Sequence, residues 1–132
     1  MTTKFNKVMV IDDNEFDCYI AAKLISNSHP ETTVLEFNSA ESALQYLVDN
    51  QKNPDMLPEL IFLDIYMPLM DGFDFIKMFR LLPQDATKHC EICIVSTTVD
   101  DFYIHKAKID ESIRLFTSKP ITVEFLESLS DR

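Results

Sequence analysis

Glycine is nearly missing: Gly72 is the only one in 132 residues. Neither the G-x-G-x-x-G dinucleotide fingerprint nor the G-x-x-x-x-G-K-S/T phosphate loop can be present, so any phosphate chemistry must rest on side chains and a metal. Basic residues are also few. Twelve Lys and Arg stand against 22 Asp and Glu, for a net charge of -10, a field that repels a nucleic-acid backbone. The strand-like apolar runs, Val8 to Ile11 and Ile92 to Val95, are about four residues long, whereas a membrane span needs about 20. The N-terminus carries no apolar signal stretch, and the expectation is a soluble, cytoplasmic protein. Three cysteines are an odd count, which does not make a disulfide framework and fits a reducing compartment. Cys90 and Cys93 form a C-x-x-C, but residues three apart on a strand point to opposite faces. His89 beside them has no second Cys or His cluster to complete a zinc site.

What is present is ordinary globular composition, 46% hydrophobic and 26% charged, and a length that predicts one domain over residues 1–132. No repeat or low-complexity tract interrupts it. Val8-Met9-Val10-Ile11 is a β-branched apolar run ending at Asp12-Asp13, the pattern of a central strand. A helix is predicted from Asn14 to about Asn27, with Phe16, Ile20, Ala21 and Leu24 at helical spacing. Thr33 to Phe37 is a second strand, and Asn38 with Glu41 forms an Asn version of the capping box ahead of a second helix through Leu47. Leu60 to Leu63 repeats the first strand pattern and ends at Asp64; Gly72 to Leu82 is helical and stops before Pro83. Ile92 to Val95 is the fourth strand, Asp100 to Ile109 a weaker helix, Ile113 to Phe116 the fifth strand and Ile121 to Leu129 the last helix. Five successive β-α units imply an α/β fold, a parallel sheet with helices on both faces.

The polar residues that break this pattern fall at the carboxyl ends of strands, where doubly wound sheets bind ligands. Asp12 and Asp13 end the first strand, Asp64 the third and Ser96 with Thr97 the fourth, while Lys119 follows the fifth. Alone, each has a plain explanation: an acidic pair at a helix start, a turn aspartate, a solvated lysine. Their joint placement carries the case. Carboxylates about 4 Å apart repel by about 4 kcal/mol at an effective dielectric near 20, so the cluster needs a cation or a protonated member. Oxygen donors without His or Cys select a hard divalent ion, and Mg²⁺ leaves coordination positions for phosphate oxygens. Lys119 and a strand-four hydroxyl would then bond the phosphoryl group.

With Val8-Met9-Val10-Ile11-Asp12-Asp13, Leu63-Asp64, Met67-Pro68-Leu69-Met70-Asp71-Gly72, Ile94-Val95-Ser96 and Lys119-Pro120 in place, the chain resembles the receiver domains of two-component response regulators, chemotaxis regulators among them, from Lys7 to about Leu129. The resemblance implies a flavodoxin-like doubly wound (βα)5 fold with strand order 2-1-3-4-5. It implies that Asp64 accepts a phosphoryl group from a sensor histidine kinase or a histidine phosphotransfer protein, and that Asp12, Asp13, Asp64 and the Tyr66 carbonyl hold Mg²⁺. Lys119 would pair with the phosphoryl group, usually with a cis bond to Pro120. Phe116 would be the aromatic switch. For the hydroxyl residue, the strand end points to Ser96, the favoured assignment, and the spacing back from the lysine to Thr97. Tyr66 is bulky for its position, and Tyr66 and Thr98 would influence how water reaches the acyl phosphate. Asn38-Ser39-Ala40 lacks the glycine common at that turn.

Such a protein is a phosphoacceptor that catalyses its own phosphorylation and slow dephosphorylation rather than an enzyme acting on an outside substrate. With few residues after Lys119-Pro120, the expectation is a stand-alone switch, monomeric or weakly dimeric. Its output would be a protein contact made through Asp101, His105, Lys108, Arg114 and Phe125 to a target the sequence does not identify. An aspartyl-phosphate phosphatase would carry D-x-D on the first strand, where this chain has adjacent aspartates. The other alternative is a receiver-like interaction module that works without phosphorylation.

Overall fold

A computed structural model describes residues 5–96 and 113–130. The apolar runs become five strands: β1 (Lys7–Ile11), β2 (Thr33–Phe37), β3 (Leu60–Asp64), β4 (Glu91–Ser96) and β5 (Ile113–Ser118). They form one all-parallel sheet in the order β2-β1-β3-β4-β5. This is the flavodoxin-like order, with β1 and β3 adjacent at the point where the winding reverses. The helices are α1 (Glu15–Ser28), α2 (Ala40–Asp49), α3 (Gly72–Phe79), the single turn α4 (Gln84–Thr87) and α5 (Val123–Ser130).

Every residue of β3 is buried, because successive side chains feed two separate cores. Met9, Ile11, Ile61, Leu63 and Ile94 face α2 and α3, meeting Ala43, Leu47, Phe75 and Ile76. Val8, Val10, Leu60, Phe62, Cys93 and Val95 face the other way, onto Cys18 and Ile25 of α1 and Leu126 and Leu129 of α5. Cys90 precedes β4 and packs on the first of these layers while Cys93 lies in the second. Burial pushes both thiols up to about 12, so neither supplies the thiolate that redox or metal chemistry needs.

Two local expectations are corrected. The predicted apolar stripe of α1 included Phe16 and Ile20, yet these are 70% and 44% exposed, and the helix buries Cys18, Ala22 and Ile25 instead. Rotation of α1 is set by its cap: Asn14 accepts from the Asp17 N–H, and its own N–H donates to Asp12. Cys18, Ala22 and Ile25, at i, i+4 and i+7, are then its buried positions. The cap of α2 is Ser39, not Asn38, with its hydroxyl accepting from the Ser42 N–H. Asn38 is drawn away, donating through Nδ2 to the Asp12 carbonyl at 3.1 Å. The full capping box occurs in α3, between Asp71 and Asp74. The predicted helix from Asp100 to Ile109 lies outside the described residues, as do Thr97, Thr98, Asp101, His105 and Lys108.

Candidate phosphoacceptor site

Asp12 follows β1 and is held at every polar atom. Its N–H extends the ladder to the Phe37 carbonyl at 3.0 Å, and its carbonyl accepts from Asn38. Its Oδ1 accepts from the Asn14 N–H at 3.0 Å, and Oδ2 lies 2.6 Å from the Lys119 ammonium. Asp64 ends β3, with Oδ1 accepting from the Tyr66 N–H at 3.4 Å and Oδ2 at 3.6 Å from Lys119. Asp13 is exposed beside them, and Asp12, Asp13 and Asp64 each offer a carboxylate oxygen within 4.8 Å of the others.

Lys119 arrives at the end of β5, where its N–H donates to the Ser96 carbonyl at 3.0 Å and the Lys119-Pro120 peptide is cis. Ser96 is fully buried at the end of β4. Phe116, on β5, is half-buried against the α2–α3 layer. Tyr66 is largely exposed just beyond Asp64. Lys119 also meets Asp17 of α1 at 3.3 Å, a contact the sequence did not single out; its signal was an acidic residue at the third position of a capped helix.

The electrostatics follow from this crowding. Burial and then the Asp12 charge push the Asp64 carboxyl up to about 7, against the opposing pull of Lys119 and the Tyr66 N–H. Burial would lower the Lys119 ammonium, but its bond to Asp12, the charges of Asp64 and Asp12 and its bond to Asp17 together raise it. A cleft of about 370 Å³ opens above these groups, with Phe16, Asp17, Ile20, Pro120 and Ile121 in its walls.

Gly72 packs against the backbone that carries Asp64. A Cβ there would lie 2.8 Å from the Asp64 carbonyl oxygen and 2.9 Å from Ile65 Cα, and the Gly72 N–H donates to the Ile65 carbonyl. Helix α3 can start this close to the end of β3 only without a side chain.

A family model for the response regulator receiver domain matches residues 8–130. The chain therefore belongs to the response regulator receiver domain family of two-component signalling. Among curated proteins it is similar to hybrid signal transduction histidine kinase L of Dictyostelium discoideum, 33% identical over 117 residues. That match covers 87% of this chain and 6% of the kinase. Sensory/regulatory protein RpfC of Xanthomonas campestris pv. campestris is 23% identical over 126 residues, 95% of this chain and 16% of that protein. The chain thus spans a small part of the curated relatives it matches. A crystal structure of a response regulator receiver protein from Dyadobacter fermentans is 29% identical, with TM-score 0.81 and 93% of each chain covered. A two component response regulator from Cytophaga hutchinsonii, 24% identical, shares the fold with TM-score 0.86 over 98% of this chain and 96% of its own.

Receiver domains of this family generally bind Mg²⁺ through acidic residues. The donor set here fits such an ion: three carboxylates converge within 4.8 Å, two of them buried, with no sulfur or imidazole among them. Among the described residues no helix is long and apolar enough to cross a membrane.

Proposed function

We propose that the chain is a phosphorylation switch in which Asp64 takes a phosphoryl group from a histidine of a sensor kinase or phosphotransfer protein. The observation that carries this reading is the convergence of Asp12, Asp13, Asp64 and Lys119 at one end of the sheet. A carboxylate oxygen of Asp64 attacks phosphorus. The new O–P bond forms as the N–P bond of the phosphohistidine breaks, and the imidazole nitrogen leaves with the electron pair and takes a proton from solvent. Asp12, Asp13, Asp64 and the Tyr66 carbonyl would hold Mg²⁺, which would supply positive charge against the phosphoryl oxygens.

Lys119 pairs with one phosphoryl oxygen as a point charge, and the Ser96 hydroxyl, with Thr97 as the alternative, bonds another. Phe116 turns inward as that hydroxyl moves, changing the surface read by a downstream protein. Tyr66 shields the acyl phosphate from water. Phe16 and Ile20, exposed in the wall of the cleft, give the phosphodonor an apolar face to pack on. Matches to hybrid signal transduction histidine kinases support a kinase or phosphotransfer partner.

The test is intact mass after incubation with a small acyl-phosphate donor and Mg²⁺, for wild type and Asp64→Asn. The expected result is one added phosphoryl group on wild type alone, lost when Mg²⁺ is chelated before the donor is added. Failure of the wild type to gain it, together with no Mg²⁺ binding by titration, would favour a module that works without phosphorylation.

A further inference from the structure

We propose that Asp17 is a positioning residue for Lys119, holding its ammonium at the phosphoacceptor site when a cation takes Asp12 and Asp13. The proposal rests on the reading of Asp64 as phosphoacceptor. An ammonium has three protons, and Lys119 faces three carboxylates, Asp12 at 2.6 Å, Asp17 at 3.3 Å and Asp64 at 3.6 Å. Two of these belong to the cation cluster. Asp17 does not: the group of converging acidic ligands among the described residues is Asp12, Asp13 and Asp64.

A cation therefore competes with Lys119 for its shortest contact. Asp12 has little to spare, because its other oxygen already accepts from the Asn14 N–H. Released from Asp12, a lysine on a four-carbon stem carries about 2 kcal/mol of rotamer entropy and has an open cleft to wander into. Asp17 is the contact left outside the cluster, and it approaches from the α1 wall.

Local structure explains why this carboxylate is available. Asp17 occupies the third position of α1, where an acidic side chain ordinarily turns back to the N–H of the capping residue. Asp74, at the same position of α3, does so, accepting from the Asp71 N–H at 3.2 Å. In α1 the corresponding N–H, that of Asn14, is taken by Asp12. The Asp17 side chain is thereby released toward Lys119, while its backbone stays fixed by the 3.0 Å bond from its N–H to Asn14 Oδ1. Thus the bond that orients one metal-binding carboxylate also frees the residue that steadies the lysine.

The experiment compares wild type, Asp17→Asn and Asp17→Glu, each with Lys119 intact and with Lys119→Ala, in the full chain at saturating Mg²⁺. One readout is the initial rate of phosphorylation by a small acyl-phosphate donor; the other is the ¹H–¹⁵N signal of the Lys119 ammonium, recorded without donor. Asp17→Asn is expected to slow phosphorylation about fivefold, the effect of losing one modest charge-assisted bond, with Asp17→Glu recovering most of it. In the Lys119→Ala background the loss disappears. The ammonium signal, sharp in wild type with Mg²⁺, broadens by faster exchange in Asp17→Asn. An unchanged or higher rate, an equal loss without the lysine, or an unchanged ammonium signal would each overturn the proposal. If wild type takes no phosphoryl group and binds no Mg²⁺, the assignment of Asp64 fails, and the ammonium signal alone decides whether Asp17 holds Lys119.

Discussion

Replacing Asp64 by Asn should make the metal-free protein more stable, although it removes the phosphoacceptor. The folded-state carboxyl, at about 7, stands well above its ordinary value of 3.8. Between those values the folded chain binds more protons than the unfolded one, so the stability associated with this group is fully present below about pH 4 and is lost as pH rises through about 7. The full difference corresponds to about 4 kcal/mol. Urea unfolding with a chelator present, at pH 5.5 and pH 8, measures it. Asp64→Asn should exceed wild type by about 4 kcal/mol at pH 8 and by about half of that at pH 5.5, where the folded wild type is mostly protonated while the unfolded chain is ionised. Added Mg²⁺ at pH 8 should close the gap by stabilising wild type more than the variant. An Asn variant no more stable than wild type at pH 8, or an advantage that does not change with pH, would refute the assignment of the strained charge to Asp64.

Tyr66→Ala should speed loss of the phosphoryl group severalfold, followed by intact mass against time; an unchanged lifetime removes the shielding role. Ser96→Ala should abolish the phosphorylation-dependent change in partner binding and Thr97→Ala should not, and the reverse result moves the switch hydroxyl to Thr97. Leu69 is 95% exposed with φ at 69°, a conformation that costs most L-residues about 1–2 kcal/mol. Leu69→Asn should therefore raise the melting temperature, and a fall would show that the leucine makes contacts that matter. Gly72→Ala should cost a few kcal/mol in urea unfolding, since its Cβ meets backbone rather than a movable side chain; near-wild-type stability would show that α3 can shift freely.

The strands were legible because parallel strands buried on both faces need continuous apolar runs, and a carboxylate or hydroxyl after such a run marks the sheet edge where ligands bind. Asp12, Asp13, Asp64 and Lys119 meet in space for that reason. The face of α1 was legible only in part: Ala21 and Leu24 of the expected stripe do pack on the α1–α5 layer. Phe16 and Ile20 have helical spacing and strong hydrophobicity, yet the helix turns on a cap whose N–H is bonded to Asp12. Periodicity within a segment carries no record of such a bond. The same blindness hid Asn38, whose partner is 26 positions away, and Asp17, whose partner is 102 positions away. Single polar contacts between distant segments leave no period to detect.

The lone glycine bears on the unfolded chain as much as on the folded one. Average usage, about 7%, would place about nine glycines in a chain of this length, and each position that carries another residue instead has fewer unfolded conformations to lose. At about 0.4–1 kcal/mol per position where the native backbone accepts a side chain, some eight such positions lower the entropic cost of folding by several kcal/mol. Those savings stop at Gly72, where the backbone of Asp64 leaves no volume for a methyl group. The extra freedom of a glycine in the denatured ensemble is thus kept where the start of α3 meets the main chain at the end of β3.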